Sequence, residues 1–242
     1  MMLMITPERR REFATQLDEM YRLRYRVFKN RLDWNVDVSD GKEIDAFDNL
    51  APIYLLQCGD RGHIQGCVRM LPCTGPTMLS EVFPVLLGGA PSPSDIDIWE
   101  SSRFALDLAP RDAKVIGGLT IATYELFLGM VEFGISRSLR DIVTVTDLRI
   151  ERILRRAGWP LRRIHGPKSI GGTTAIAGYL EISQRALITL REASGITTPI
   201  LWRPVMDPRL ETEGEIERRM ASKPVQLRHI DKKESDADLG AF

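Results

Sequence analysis

Apolar residues at Phe13, Leu17, Met20, Val27 and Phe28 recur at the spacing of one helical face, and the position that completes the stripe is Arg24. Thr6, Pro7 and Glu8 have the form of an N-cap, a first-position proline and a first-turn acid, so the pattern predicts a helix over 7–30. Arg24 then faces the core. Either it finds an acidic partner, since an unpaired buried charge costs on the order of several kcal/mol, or its stem lies at the core edge and its head reaches water.

Residues 35–49 carry neither a helical nor a strand period and read as a loop with Trp34 at its entrance and Glu43, Asp45 and Asp48 near its end. Apolar runs at 52–58 and 64–71, parted by Gly59-Asp60-Arg61-Gly62, predict a hairpin in which Arg69 points away from Val68 and Met70. The proline-rich segment 72–93 predicts a loop with a helical turn around 78–87. Strands over 96–106, 142–146 and 173–182 alternate with helices over 113–134, 149–157 and 183–192. That order points to an α/β fold, an α+β sandwich of one sheet covered by helices. After about residue 203 periodicity is lost, which divides the chain into a domain over 1–202 and a charged peripheral tail over 203–242.

The chain has 242 residues and is 43% hydrophobic, enough to bury a full core. Lys plus Arg number 33 and Asp plus Glu number 33, which removes the bulk electrostatic case for a nucleic-acid or membrane binder. No uncharged apolar run approaches the roughly 18 to 20 residues of a membrane span, and the opening residues have no secretory pattern, so a cytoplasmic protein is expected. Cys58, Cys67 and Cys73 form no C-x-x-C pair and His63, His165 and His229 are scattered, so no metal site is expected.

The charges are nevertheless sorted. Arg22, Arg24, Arg26, Lys29 and Arg31 stand together without an acid, and Arg149, Arg152, Arg155, Arg156, Arg162, Arg163 and Lys168 are offset only by Glu151. Such runs are solvated helix faces or docks for an acidic partner. In Trp99-Glu100-Ser101-Ser102-Arg103-Phe104 a regular strand would send Glu100 and Arg103 to opposite faces. If they act together, a bulge near Ser101-Ser102 must bring them round; otherwise they are a structural pair or unrelated rim charges.

In order, Arg24, Phe28, Trp34, Asp45, Asp48, Arg69, Phe83, Glu100 and Arg103 resemble the invariant series of the LuxI-type autoinducer synthases, the acyl-homoserine-lactone synthases. The words Gly75-Pro76-Thr77-Met78-Leu79 and Arg156-Ala157-Gly158-Trp159 fit as well, and the resemblance covers roughly the first 200 residues. It implies a GNAT-like acyltransferase fold and a reaction between S-adenosylmethionine and an acyl thioester on acyl carrier protein or CoA. No metal or redox cofactor is implied, S-adenosylmethionine being a substrate.

Under that resemblance Arg24 and Arg103 hold the substrate carboxylate, and Asp45 and Asp48 meet cationic groups or position basic ones. Phe28 and Trp34 cover the adenine or sulfonium, Phe83 belongs to the same pocket, Arg69 braces the network, and Glu100 accepts the ammonium proton. Backbone N–H groups at a bulge stabilise the oxyanion. Thr144 or, by preference, Thr146 meets a 3-oxo group, and Leu126, Phe127 and Met130 line an acyl channel or are core. The basic run from Arg149 to Lys168 docks acyl carrier protein. Two other readings stand beside this one: a GNAT-like N-acyltransferase acting on another amine, against which counts the lack of a pyrophosphate loop, and a non-catalytic binding domain, which leaves the ordered Arg, Asp and Glu set unexplained.

Overall fold

The computed structural model describes residues 2–59 and 62–202; the tail expected over 203–242 lies outside the described residues. In chain order the strands are β1 (Met2–Ile5), β2 (Val38–Ser39), β3 (Lys42–Glu43), β4 (Ile53–Cys58), β5 (Ile64–Pro72), β6 (Ile98–Leu106), β7 (Val115–Ile116), β8 (Leu119–Thr120), β9 (Asp141–Asp147), β10 (Arg162–Arg163), β11 (Lys168–Ile170), β12 (Thr173–Glu181) and β13 (Leu201–Trp202). The helices are α1 (Ala14–Arg24), α2 (Met78–Glu81), α3 (Ile121–Ser136), α4 (Leu148–Arg156) and α5 (Gln184–Ser194). A mixed sheet runs β10-β12-β9-β6-β5-β4-β1-β13, with β11 also on β12 and two small hairpins, β2-β3 and β7-β8, outside it.

Side-chain alternation sorts the core into two layers. On one face Met2, Met4, Leu55, Val68, Met70, Trp99 and Ile142 pack under α3 and α5. On the other, Leu3, Ile5, Tyr54, Leu56 and Cys67 lie under α1, while Ile98, Val143, Ala175 and Ala177 lie under Met78, Leu79 and Phe83. The second face therefore carries two apolar clusters with a seam between them, under the middle of the sheet.

Several expectations are corrected. The helix over 7–30 opens as a 3₁₀ turn at Pro7–Arg9, becomes α-helical only at Ala14, and widens into a π-helix at Tyr25–Arg31. Thr6 makes no capping bond, and its buried hydroxyl has no partner. Met2–Ile5, assigned to no element by pattern, is a wholly buried strand between β4 and β13. The helix over 113–134 begins only at Ile121, capped by the Thr120 hydroxyl, because Gly117 and Gly118 take φ of 57° and 80° and turn β7 back on β8. Two consecutive left-handed residues make the two-residue hairpin turn that glycine favours. Within the 35–49 loop the chain forms β2-β3 and a 3₁₀ turn, Ala46–Asn49.

The middle of the sheet departs from regularity where β6 meets its neighbours. Cys67 and Arg69 of β5 pair with Ala105 and Ser102, so Arg103 and Phe104 together stand opposite Val68. Arg103 has φ of 54°. This is a bulge, one to two residues later than expected, and it returns Arg103 to the face of Glu100 while Phe104 turns to the α3 side against Phe127, ring centroids 5.6 Å apart. On its other edge β6 pairs in parallel with β9 from Ile98↔Asp141 to Ser101↔Thr144, and there pairing stops although both strands continue.

Gly178 of β12 tests the tightness of the sheet edge. A methyl group there would stand 2.6 Å from Leu161 and 2.7 Å from the Arg162 carbonyl, whereas one on Gly172 meets nothing within 4 Å. Gly178→Ala is expected to lose about 1–3 kcal/mol in denaturant unfolding, with Gly172→Ala within about 0.5 kcal/mol of wild type.

Candidate active site

The seam on the second face is filled with charge. Arg24, fully buried, donates from Nε to Glu43 at 2.5 Å and from both Nη atoms to Asp48 at 2.8 and 3.0 Å. Arg69 donates to Asp45 at 2.5 Å, to Asp48 at 3.0 Å and to the Ser102 hydroxyl at 3.0 Å. Arg103 donates to Glu43 at 3.0 Å, and its Nη2 lies 2.8 Å from Asp45 Oδ2. Three guanidiniums thus face three carboxylates, supplied by α1, β5, β6 and the 42–49 segment. Tyr54 of β4 adds a phenol hydrogen bond to Asp48 at 2.6 Å.

Local chemistry sets each partner. Asp45 caps the 3₁₀ turn at Ala46–Asn49 by accepting from the N–H groups of Phe47 and Asp48, and the Asp48 side chain accepts in return from the Asp45 N–H. Burial would raise the Asp48 pKa, but Arg24 and Arg69 more than offset that and hold it well below the usual carboxylate range. Asp45 is lowered in the same way, by Arg69 and Arg103 against burial. Burial draws the Arg103 pKa down from the usual guanidinium value, with Glu43 and Asp45 pulling the other way. Asp48 spends both oxygens inside the protein, whereas Asp45 Oδ2 is buried without a hydrogen bond despite its nearness to Arg103.

Glu100 sits beyond this network, 1% exposed, with its oxygens accepting from the N–H groups of Met78 at 2.9 Å and Leu79 at 2.7 Å. Burial raises its pKa, and the two N–H groups resist the shift. A small cleft lies against it, lined by Met78, Phe83, Glu100, Ser101, Ser102, Arg103 and Val145. That cleft opens where β6 and β9 part, so strand backbone at Ser102 and Arg103 borders it without a partner strand on the β9 side. Phe28 is stacked on Trp34 at 5.3 Å and 10°, and the Arg103 guanidinium lies 5.6 Å over the Phe28 ring.

The structure therefore gathers Arg24, Phe28, Trp34, Asp45, Asp48, Arg69, Phe83, Glu100 and Arg103 in one region. Arg24 neither snorkels nor reaches the cleft; it is locked between Glu43 and Asp48. Leu126, Phe127 and Met130 are buried on the opposite face of the sheet. Thr144 and Thr146 share the parity of Ile142 and so face that side too, with the Thr144 hydroxyl donating to the Ser101 carbonyl at 3.1 Å. Glu43, which joins Arg24 to Arg103, reads in the sequence only as a loop acid beside Asp45 and Asp48, and Met78 only as part of a matched word; neither is given a role in the site there, because an acid in an aperiodic loop and a methionine beside a turn carry no periodic signal. Among the described residues no group of His, Cys, Asp or Glu is arranged to hold a metal ion, and no helix is long and apolar enough to cross a membrane.

The basic run splits in two. Arg163 makes a two-pronged pair with Glu151, both bonds 2.6 Å, Arg155 also approaches Glu151, and Arg162 pairs with Asp141 at 2.9 Å. Arg149, Arg152 and Arg156, at i, i+3 and i+7 of α4, are exposed and have no carboxylate partner among the described residues, and Arg156 lies over Gly118 of the β7-β8 turn. Lys168 is half-buried on β11.

Residues 8–190 match the family model described as autoinducer synthase. An acyl-homoserine-lactone synthase of Agrobacterium fabrum is 44% identical over 178 residues, 74% of this chain and 84% of that protein. The crystal structure of the synthase LasI superposes with a TM-score of 0.71 at 33% identity, covering 82% of this chain and 98% of that one. The structure of BjaI, a CoA-dependent acyl-homoserine lactone synthase with SAM and isopentyl-CoA, gives 0.75 at 25% identity, covering 86% and 95%.

The network makes stability depend on acid. A carboxylate whose pKa falls on folding contributes stability that is present above its unfolded value, about 3.9, and is lost as pH drops toward its folded value. Thermal unfolding should show this loss setting in below about pH 4. Asp48→Asn should cost about 3–5 kcal/mol at neutral pH, by leaving Arg24 and Arg69 undercompensated, and should flatten the acid limb.

Proposed function

The chain belongs to the autoinducer synthase family and is an acyltransferase, an acyl-homoserine-lactone synthase, and from that premise we propose how its residues divide the work. The reaction acylates S-adenosylmethionine and closes the lactone with release of methylthioadenosine. In the first step the amine attacks the thioester carbon, the C–S bond breaks, and the thiol leaves with the proton taken from the amine. In the second, the carboxylate attacks the γ-carbon as its bond to the sulfonium breaks. Both steps balance without a metal or redox group, and S-adenosylmethionine enters as substrate.

The observation that carries the assignment is Glu100, a buried carboxylate of raised pKa on the wall of a cleft that Arg103 also lines. Two backbone N–H groups aim it, and it takes the ammonium proton directly or through water. Arg103, the guanidinium on the cleft, holds the substrate carboxylate. Arg24 is a brace, Arg69 braces the network through Asp45 and Asp48 while its other Nη faces Met78, and the carboxylate role expected for Arg24 passes to Arg103. Asp45 Oδ2, in ion-pair contact with Arg103 at 2.8 Å but in no hydrogen bond, is the carboxylate oxygen proposed to meet the substrate ammonium, and Asp48 positions the arginines. Trp34 offers its outer face to the adenine or sulfonium, since Phe28 is already covered by Trp34 and Arg103. Phe83 closes the apolar side of the cleft, and free strand N–H groups near the bulge stabilise the oxyanion.

The acyl chain enters between the parted strands and lies on the α3 face, where Leu126, Phe127 and Met130 line it. Thr146 is the candidate for a 3-oxo group, the Thr144 hydroxyl proton being engaged by Ser101. The donor is carried by acyl carrier protein, whose acidity suits the unpaired Arg149, Arg152 and Arg156 stripe better than the paired Arg155, Arg162 and Arg163; the resemblance to CoA-dependent BjaI makes acyl-CoA the second reading. A cytoplasmic protein, with residues 1–202 as the catalytic domain and 203–242 as a peripheral tail, completes the proposal.

Incubation with S-adenosylmethionine and panels of acyl-carrier-protein and acyl-CoA thioesters should release lactone and methylthioadenosine together; amide without methylthioadenosine would point to another N-acyltransferase. Glu100→Gln should fold normally and lose about 10²-fold or more in kcat. The acid limb of the wild-type kcat/KM profile should lie above the ordinary glutamate pKa, as burial of Glu100 in the free protein requires, because the group must be ionised to accept a proton. Replacing Arg149, Arg152 and Arg156 together by Glu should raise KM for acyl carrier protein thioesters about tenfold or more and leave KM for S-adenosylmethionine within twofold; an acyl-CoA donor would show little of this.

A further inference from the structure

Met78 stands at the junction of the two halves of this site. Its backbone N–H donates to Glu100 at 2.9 Å. Its thioether sulfur receives two guanidinium groups, Arg69 Nη2 at 3.2 Å and Arg103 Nη1 at 3.4 Å. The side chain is 5% exposed and lines the cleft. Every other acceptor around these two arginines is a carboxylate or a hydroxyl.

A thioether is a weak acceptor. Two charged N–H donors aimed at it are therefore held in direction but weakly bound, which is unusual beside three carboxylates competing for the same guanidiniums. We propose that Met78 is a positioning residue: its sulfur keeps one N–H of Arg69 and one of Arg103 turned toward the cleft in the free protein and releases them to the incoming carboxylate of S-adenosylmethionine. A carboxylate is a far better partner for a guanidinium than a thioether, so the exchange favours binding. Without the sulfur the Arg103 guanidinium turns further onto Asp45 Oδ2, already 2.8 Å away, and must be drawn back when substrate arrives. With a strong neutral acceptor in its place, the N–H groups are held and the carboxylate competes for them.

This inference rests on the functional reading above, and methylthioadenosine separates the two. It shares the nucleoside and the methyl-bearing sulfur of S-adenosylmethionine, as a neutral thioether in place of the sulfonium, and has neither the ammonium nor the carboxylate. Binding of each to wild type, Met78→Leu and Met78→Gln is measured by calorimetry, with far-UV dichroism and thermal melts to confirm folding. Leu keeps the volume and removes the acceptor; Gln supplies a strong one. Both variants should bind S-adenosylmethionine about tenfold more weakly while binding methylthioadenosine within twofold of wild type. Equal weakening for the two ligands, or wild-type affinity for S-adenosylmethionine in both variants, overturns the role and leaves Met78 as packing. If Met78→Leu does not fold, the Gln variant decides between the same outcomes. Failure of the wild type to bind S-adenosylmethionine would overturn the functional reading itself.

Discussion

Three arginines and three carboxylates buried in one seam hold the middle of this protein together. Desolvating a charge costs several kcal/mol or more in order of magnitude, and that cost is met here because each ion has opposite neighbours within hydrogen-bond reach. The network ties α1 through Arg24, the 42–49 segment through Glu43, Asp45 and Asp48, β5 through Arg69 and β6 through Arg103. These segments are distant in sequence, and the apolar clusters on either side of the seam would not by themselves set their relative positions to within a hydrogen-bond length. Ionic pairing makes the geometry strict where hydrophobic burial alone would leave it loose.

The second constraint is the irregularity of β6. A strand of period two cannot show both Glu100 and Arg103 to the same face. The extra residue at Arg103 and Phe104 solves this, and the same segment is where β6 loses β9 as a neighbour. One local departure therefore delivers a guanidinium to the network, sends an aromatic ring to the α3 core and frees backbone beside the cleft. The left-handed φ of Arg103 is a strained conformation for a residue with a side chain, of order 1–3 kcal/mol, and the bonds from Arg103 to Glu43 hold it there.

Legibility in the sequence followed the range of each interaction. Arg24 showed as a misfit in an apolar stripe, and the parity of Glu100 and Arg103 demanded a bulge; both are local arithmetic. The alternation along 53–58 and 64–72 placed Arg69 correctly for the same reason. The Gly117-Gly118 turn was hidden inside a long apolar run, where a helix and a buried hairpin share a composition. The widening of α1 into a π-helix changes hydrogen bonds from i+4 to i+5 with no change of residue type. Glu43 was visible as a loop acid, but its part in the network was not legible because its partners are 19 and 60 residues away, and no periodicity reports a contact of that span.

What distinguishes the cleft side of the network from its interior is how completely each group is spent. Around Arg24 and Asp48 the donors and acceptors are closed on one another, which stabilises the fold and leaves nothing for a ligand. Toward the cleft the groups are less completely spent: Asp45 Oδ2 has an ion-pair contact with Arg103 but no hydrogen bond, Arg69 and Arg103 each point one N–H toward a thioether, and Glu100 is a carboxylate with raised pKa. A ligand carrying an ammonium and a carboxylate on one carbon satisfies the first two and presents its proton to the third. On the proposed reading the ammonium and the carboxylate of the substrate are met by opposite charges of the network, and the sulfonium, which leaves S-adenosylmethionine with a net charge of +1, falls to the aromatic face of Trp34. On that reading the closed interior supplies the rigidity, and the unspent edge supplies the chemistry.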